Sequence, residues 1–205
     1  MNNYNPQIHH RRSIRSKGYD YSSAGLYFIT MCCENRINRF GHIVGAHPCG
    51  RPEMDMNQFG QIAFDEWLKL SARFPNFELD VFQIMPNHIH VIIFLKDVGA
   101  NLAVVLNNTD EIRAGADISK GAGADISKGA GASPAPTVSD IVGAYKSLVA
   151  NRCLEIYKLK NETMGKFWQR NYYEHIIRDV KSYETISNYI INNPSKWAED
   201  KFYSA

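Results

Sequence analysis

The sequence predicts an α+β fold, an antiparallel β-sheet with helices packed on one side. Three observations carry this. Short segments rich in β-branched and aromatic residues read as strands, and longer ones with apolar residues at three- and four-residue spacing read as helices. Two of the strands follow each other directly, joined through Pro86–Asn87. The order of elements is β, a second short β, α, β, β, α, β, α, which suits a sheet covered by helices.

Taken in order, Leu26–Cys33 (LYFITMCC) follows a glycine and is the first strand. Asn57–Phe74 carries Phe59, Ile62, Ala63, Trp67 and Leu70 at helical spacing. Glu78–Met85 and His88–Leu95 are the paired strands. Thr137–Lys160 is a helix capped by Thr137 or Ser139, with Ile141, Tyr145, Leu148, Val149 and Cys153 on one face. Tyr172–Arg178 (YYEHIIR) is a further strand. Ser182–Asn193 is the last helix, stopped by Pro194, which disfavours helical geometry at the residue before it.

Between the paired strands and the next helix, residues 114–132 read AGADISKGAGADISKGAGA, with GAGADISK recurring every eight residues. One isoleucine per unit cannot offset the entropy of ordering the chain. The 205 residues are therefore expected to form one domain, 1–205, interrupted by a disordered low-complexity insertion at about 107–136.

A net charge of +2 does not by itself announce a nucleic-acid binder, but the charge is uneven. Residues 1–40 hold Arg11, Arg12, Arg15, Lys17, Arg36 and Arg39 against Asp20 and Glu34. Residues 145–181 hold eight Lys or Arg, Lys146 and Arg170 among them, against four acids. Two basic regions fit a phosphate-binding surface, and a solvated face produces the same runs. Cys32, Cys33, Cys49 and Cys153 show no metal or redox spacing and read as reduced thiols. The polar, basic N-terminus predicts no signal peptide, and Val91–Leu95 is too short to cross a bilayer, so a cytoplasmic protein without membrane contact is expected.

Side chains alternate along a strand, so His88 and His90 in MPNHIHVIIF project together, close enough to hold one cation, while Ile89, Val91, Ile93 and Leu95 enter the core. Two histidines at a strand start can equally be satisfied by neighbours, and a useful metal site needs a third group. In the helix SYETISNYIINNP, Tyr189 and Asn193 lie four apart on one face, where Asn193 offers a carbonyl oxygen and Tyr189 a phenol. Tyr189 packed among isoleucines and Asn193 as a helix cap account for the same residues. Tyr183 is the other tyrosine of that helix, but Ser187 stands four residues on. Trp168, Arg170, Tyr172, Tyr173 and His175 form an aromatic and basic mixture suited to stacking on unpaired bases, or to core packing.

MPNHIHVIIF followed by a helical tyrosine before NNPSKW, with RRSIRSKGYDYSSAGLYFIT, FGQIAFDEW, SDIVGAYKS and FWQRNYYEHIIRD in order, resembles the HUH single-tyrosine transposases of the insertion-sequence-200-like family. The likeness is closest to the REP-associated tyrosine transposases. It implies a ferredoxin-like antiparallel sheet with helices mainly on one face. It further implies His88 and His90 as ligands of a divalent metal, Mg2+ or Mn2+, Asn193 as third ligand and Tyr189 as nucleophile. The implied reaction cleaves and rejoins single-stranded, hairpin-bearing DNA through a 5′-phosphotyrosine, by a monomer or homodimer. Arg11, Arg12, Arg15, Lys146, Trp168, Arg170, Tyr172, Tyr173 and His175 are the candidate DNA contacts. A DNA-binding protein of the same fold without cleavage is the alternative. A hydrolase built on H-x-H is disfavoured because Asp80, the nearest upstream acid, lies beyond the Pro86–Asn87 turn.

Overall fold

Alternation along one strand, β5 (His88–Leu95), divides the molecule into two layers. Ile89, Val91, Ile93 and Leu95 point into the main core, while His88, His90 and Ile92 point to the opposite face. The computed structural model describes residues 23–45, 50–96 and 136–203. The expected insertion at 107–136, but for its last residue, and Arg11, Arg12 and Arg15 lie outside the described residues.

The main sheet has the order β4 (Phe77–Ile84), β5, β1 (Gly25–Cys32), β6 (Tyr173–Ile177), with every neighbouring pair antiparallel. β1 and β5 pair along their full length, from Gly25 opposite Leu95 to Cys32 opposite His88. This is the ferredoxin-like arrangement. The second short strand of the sequence pattern is a separate hairpin, β2 (Gly41–Val44) and β3 (Glu53–Met56).

α1 (Gln58–Arg73) and α2 (Val138–Leu159) cover the apolar face. Asn57 caps α1, its Oδ1 accepting from the amides of Phe59 and Gly60 at 2.8 and 3.1 Å. Gly60 is required there: a Cβ would sit 2.3 Å from the Phe40 carbonyl oxygen. Thr137, not Ser139, caps α2, in a reciprocal box with Asp140. Trp67 of α1 packs edge-on against Tyr145 of α2 at 4.9 Å, and the Tyr145 hydroxyl donates to the Ala63 carbonyl at 2.9 Å. These contacts fix the two helices to each other as well as to the sheet.

α3 (Val180–Asn192) lies on the other face, so two of the three α-helices among the described residues share a side. It starts at Val180 rather than Ser182, because Asp179 in extended conformation accepts the Ser182 amide at 2.7 Å. Pro194 does not stop the chain sharply either. Asn193 keeps helical angles and Pro194 opens a 3-10 turn, Pro194–Glu199, that folds the chain back over the end of β5. A proline at the first position of a turn has no amide to lose. Of α3 only Ile190 is fully buried, with Ser187 nearly so; Ile190 sits on Ile92 and Ile177 in a cluster apart from the main core.

Asn76, at the open end of the β4–β5 pair, receives the Lys96 amide on its carbonyl (2.8 Å) and gives its side-chain amide to the Pro136 carbonyl (3.1 Å). The chain leaving β5 and the chain entering α2 are thus tied to one residue. Among the described residues, no helix is long and apolar enough to cross a membrane.

Because so little apolar surface holds α3, Ile190→Ala is expected to cost about 2–5 kcal/mol, read as a lowered urea midpoint. A loss below about 1 kcal/mol would mean that the helix is held by other contacts.

Candidate metal and tyrosine site

The site is built on the turn before β5. Asn87 is fully buried, and its amide donates to the carbonyls of Arg36 (3.1 Å) and Phe202 (2.8 Å). That fixes the amide's orientation, so Oδ1 faces His88 and accepts from its Nδ1 at 2.9 Å. His88 therefore carries its proton on Nδ1 and turns the lone pair of Nε2 toward His90. His90 has its own Nδ1 held by the Thr30 hydroxyl at 2.8 Å, and the two Nε2 atoms stand 3.0 Å apart. With exposures of 0% and 1%, neither ring is free to charge. Burial first, then Lys201 and Arg36, pushes His88 down to about 3; burial and then His88 itself hold His90 well below the usual range.

Tyr189 of α3 reaches the same point from across the face. Its Oη lies 3.1 Å from His90 Nε2 and 3.3 Å from Asp200 Oδ2, and its ring meets Phe28 edge-on. At 39% exposure the ring is open to solvent while its oxygen reaches His90. Burial, then the Asp200 carboxylate, raises its pKa to about 12. An open cleft beside it is lined by Thr185, Asn188, Asn192, Lys196 and Lys201.

Asn193 is also here, 2% exposed, but its amide donates to Asp200 Oδ2 at 2.8 Å while its own Oδ1 is buried without a hydrogen-bond partner. Asp200, which the sequence reasoning missed, is the acid of the site. One ligand atom from each of His88, His90 and Asp200 lie within 4.8 Å of one another. It stands eleven residues after Tyr189, but α3 ends at Asn192, so helical spacing does not carry across and the Pro194 turn brings it back. Two converging imidazole nitrogens and a carboxylate oxygen form a donor set that fits a divalent cation.

The candidate DNA contacts separate by face. Tyr173 and His175 pair with Thr30 and Phe28, on the site side of the sheet, and both are exposed. Lys201 lies 5.9 Å from the Tyr173 ring. Arg170 is exposed beside Tyr173 in a second cleft with Glu34 and Asn35. Tyr172 turns to the helical face, half-buried, its hydroxyl 3.1 Å from Ser139 Oγ. Trp168 is buried against Phe40 and Tyr145, its indole donating to the Lys146 carbonyl at 3.0 Å. Lys146 gives its ammonium to the Gln169 carbonyl at 2.7 Å and reaches those of Arg170 and Asn171 at 3.4 Å, with burial pulling its pKa to about 8. It braces the segment leading into β6.

The buried neutral histidines make stability depend on pH. Their folded pKa values lie below the ordinary 6.5, so the unfolded chain binds more protons in acid. In chelator, stability is expected to be full above about pH 6.5 and to fall as pH drops from there toward about 3, visible in urea midpoints at pH 7 and 5. Equal midpoints at the two values would show that the histidines are not held neutral.

Three comparisons bear on these residues. The family described as "Transposase IS200 like" matches residues 130–193, which include α2, β6 and the tyrosine helix. A protein of Haemophilus influenzae described as "Uncharacterized protein" is 39% identical over 201 residues, covering 98% of this chain and 97% of its own. A solved structure described as "Structure of the REP associates tyrosine transposase bound to a REP hairpin" is 17% identical, with a TM-score of 0.49, covering 89% of this chain and 74% of that one. Over residues 130–193, then, the chain matches the IS200-like transposase family.

Proposed function

We propose that this transposase cleaves and rejoins single-stranded DNA through a covalent 5′-phosphotyrosine, with Tyr189 as nucleophile and a divalent cation, Mg2+ or Mn2+, held by His88 and His90. The observation that carries it is the 3.1 Å approach of Tyr189 Oη to His90 Nε2, which supports reading the phenol as a nucleophile that acts beside a metal-ligand pair. A bound cation supplies polarisation of the phosphate under attack. The residues do the rest. Asn87 and Thr30 lock the imidazoles, as outer partners of metal-bound histidines do. For a third protein ligand, the family resemblance points to Asn193 at the end of α3. Burial and Asp200 keep the phenol protonated until positive charge reaches the site.

In cleavage, Tyr189 Oη forms a bond to phosphorus as the bond from phosphorus to the 3′ oxygen breaks. The phenol loses a proton and the 3′ oxygen gains one, so the phosphodiester's energy is kept in the phosphotyrosine. Attack by another 3′-OH reverses the step, and no nucleotide cofactor is needed. Tyr173 and His175, exposed on the site side of the edge strand, are the surface on which unpaired bases stack. A hairpin as the recognised DNA rests on the family resemblance.

Incubation with end-labelled hairpin-bearing single strands and Mn2+ is expected to give a covalent adduct, lost in Tyr189→Phe and in chelator. An adduct that survives Tyr189→Phe overturns the nucleophile; retained binding with no adduct on any substrate makes the chain a DNA-binding protein only. Tyr173→Ala is expected to weaken single-strand binding by about 1–3 kcal/mol in fluorescence anisotropy. Unchanged affinity would remove Tyr173 from the DNA path.

A further inference from the structure

We infer that the oxygen ligand completing the metal site is the Asp200 carboxylate, and that Asn193 positions this carboxylate rather than binding the metal itself. This rests on the reading of His88 and His90 as a metal pair. Three features of the structure point to it. The donor atoms of His88, His90 and Asp200 form one group within 4.8 Å. The Asn193 amide is already committed, its Nδ2 donating to Asp200 Oδ2 at 2.8 Å and so holding that carboxylate in place. Finally, Asp200 is held from its other side, Oδ1 accepting the Phe202 amide at 2.6 Å, while the Phe202 carbonyl receives Asn87.

The chemistry agrees with the geometry. Two neutral imidazoles alone are a poor site for a hard cation, which prefers oxygen, and a carboxylate adds the negative charge that an amide lacks. The site then has one ligand strand and one ligand turn, joined through Asn87: its Oδ1 orients His88, and its amide holds the backbone two residues after Asp200. Asn193 has the role of an outer partner that aims a carboxylate ligand.

Cobalt spectroscopy of cysteine variants tests direct coordination without relying on activity. Co2+ added to Asp200→Cys is expected to give a thiolate-to-cobalt charge-transfer band above the wild-type background, and Co2+ added to Asn193→Cys none. In parallel, Asp200→Asn is expected to weaken Mn2+ binding, read by the free-Mn2+ paramagnetic signal, by about tenfold or more, with circular dichroism confirming the fold. A band in Asn193→Cys but not in Asp200→Cys overturns the assignment. So does an Asp200→Asn protein that binds Mn2+ as wild type does; if it also forms the DNA adduct faster, the carboxylate stands where a substrate phosphate belongs. Wild-type protein that takes up neither metal, or binds equally after His90→Ala, sinks the histidine pair itself, a different result from losing Asp200 alone.

Discussion

The Asn87 side chain is the constraint on which the site depends. Its amide has no water to turn to, so it takes the carbonyls of Arg36 and Phe202, and what is left is an acceptor aimed at His88. One buried amide thus joins the 3-10 turn after β1, the strand start and the C-terminal segment. Its loss would take a donor from the Arg36 and Phe202 carbonyls, the second of them buried, and free His88 to change tautomer, so the damage would be structural and chemical at once.

The sheet separates these tasks by side. The face toward α1 and α2 is packed with large apolar groups, Trp67, Tyr145 and the odd-numbered residues of β5 among them. The opposite face pairs a few isoleucines with the polar chemistry, and α3 rests there on a small cluster. Stability is supplied mainly by one face, which leaves the other able to bury two histidines and still present a half-exposed tyrosine.

Much of this was legible in the sequence. Strand alternation assigned the two faces of β5, and four-residue spacing put Tyr189 and Asn193 together on one helix. Helical periodicity cannot say which side of a sheet a helix takes, and α3 went opposite to its companions. Adjacent residues of a strand diverge, so Tyr172 and Tyr173, alike in type, have different surroundings, and only register with β1 distinguishes them. Lys146 reads as a phosphate contact by charge, and sequence spacing gives no sign that its ammonium also reaches backbone carbonyls more than twenty residues later. Asp200 left no local trace because its position depends on a proline-led turn that sequence reasoning treats as a stop.

Asn76 has a consequence for the repeats. The chain departs from β5 and returns to α2 at this one residue, at the end of the strand opposite to His88, seven residues away and about 23 Å at roughly 3.3 Å per residue. Whatever number of GAGADISK units lies between, both ends are moored to the same clasp. A change in the length of that segment would enter the described fold at Asn76, away from the histidine pair.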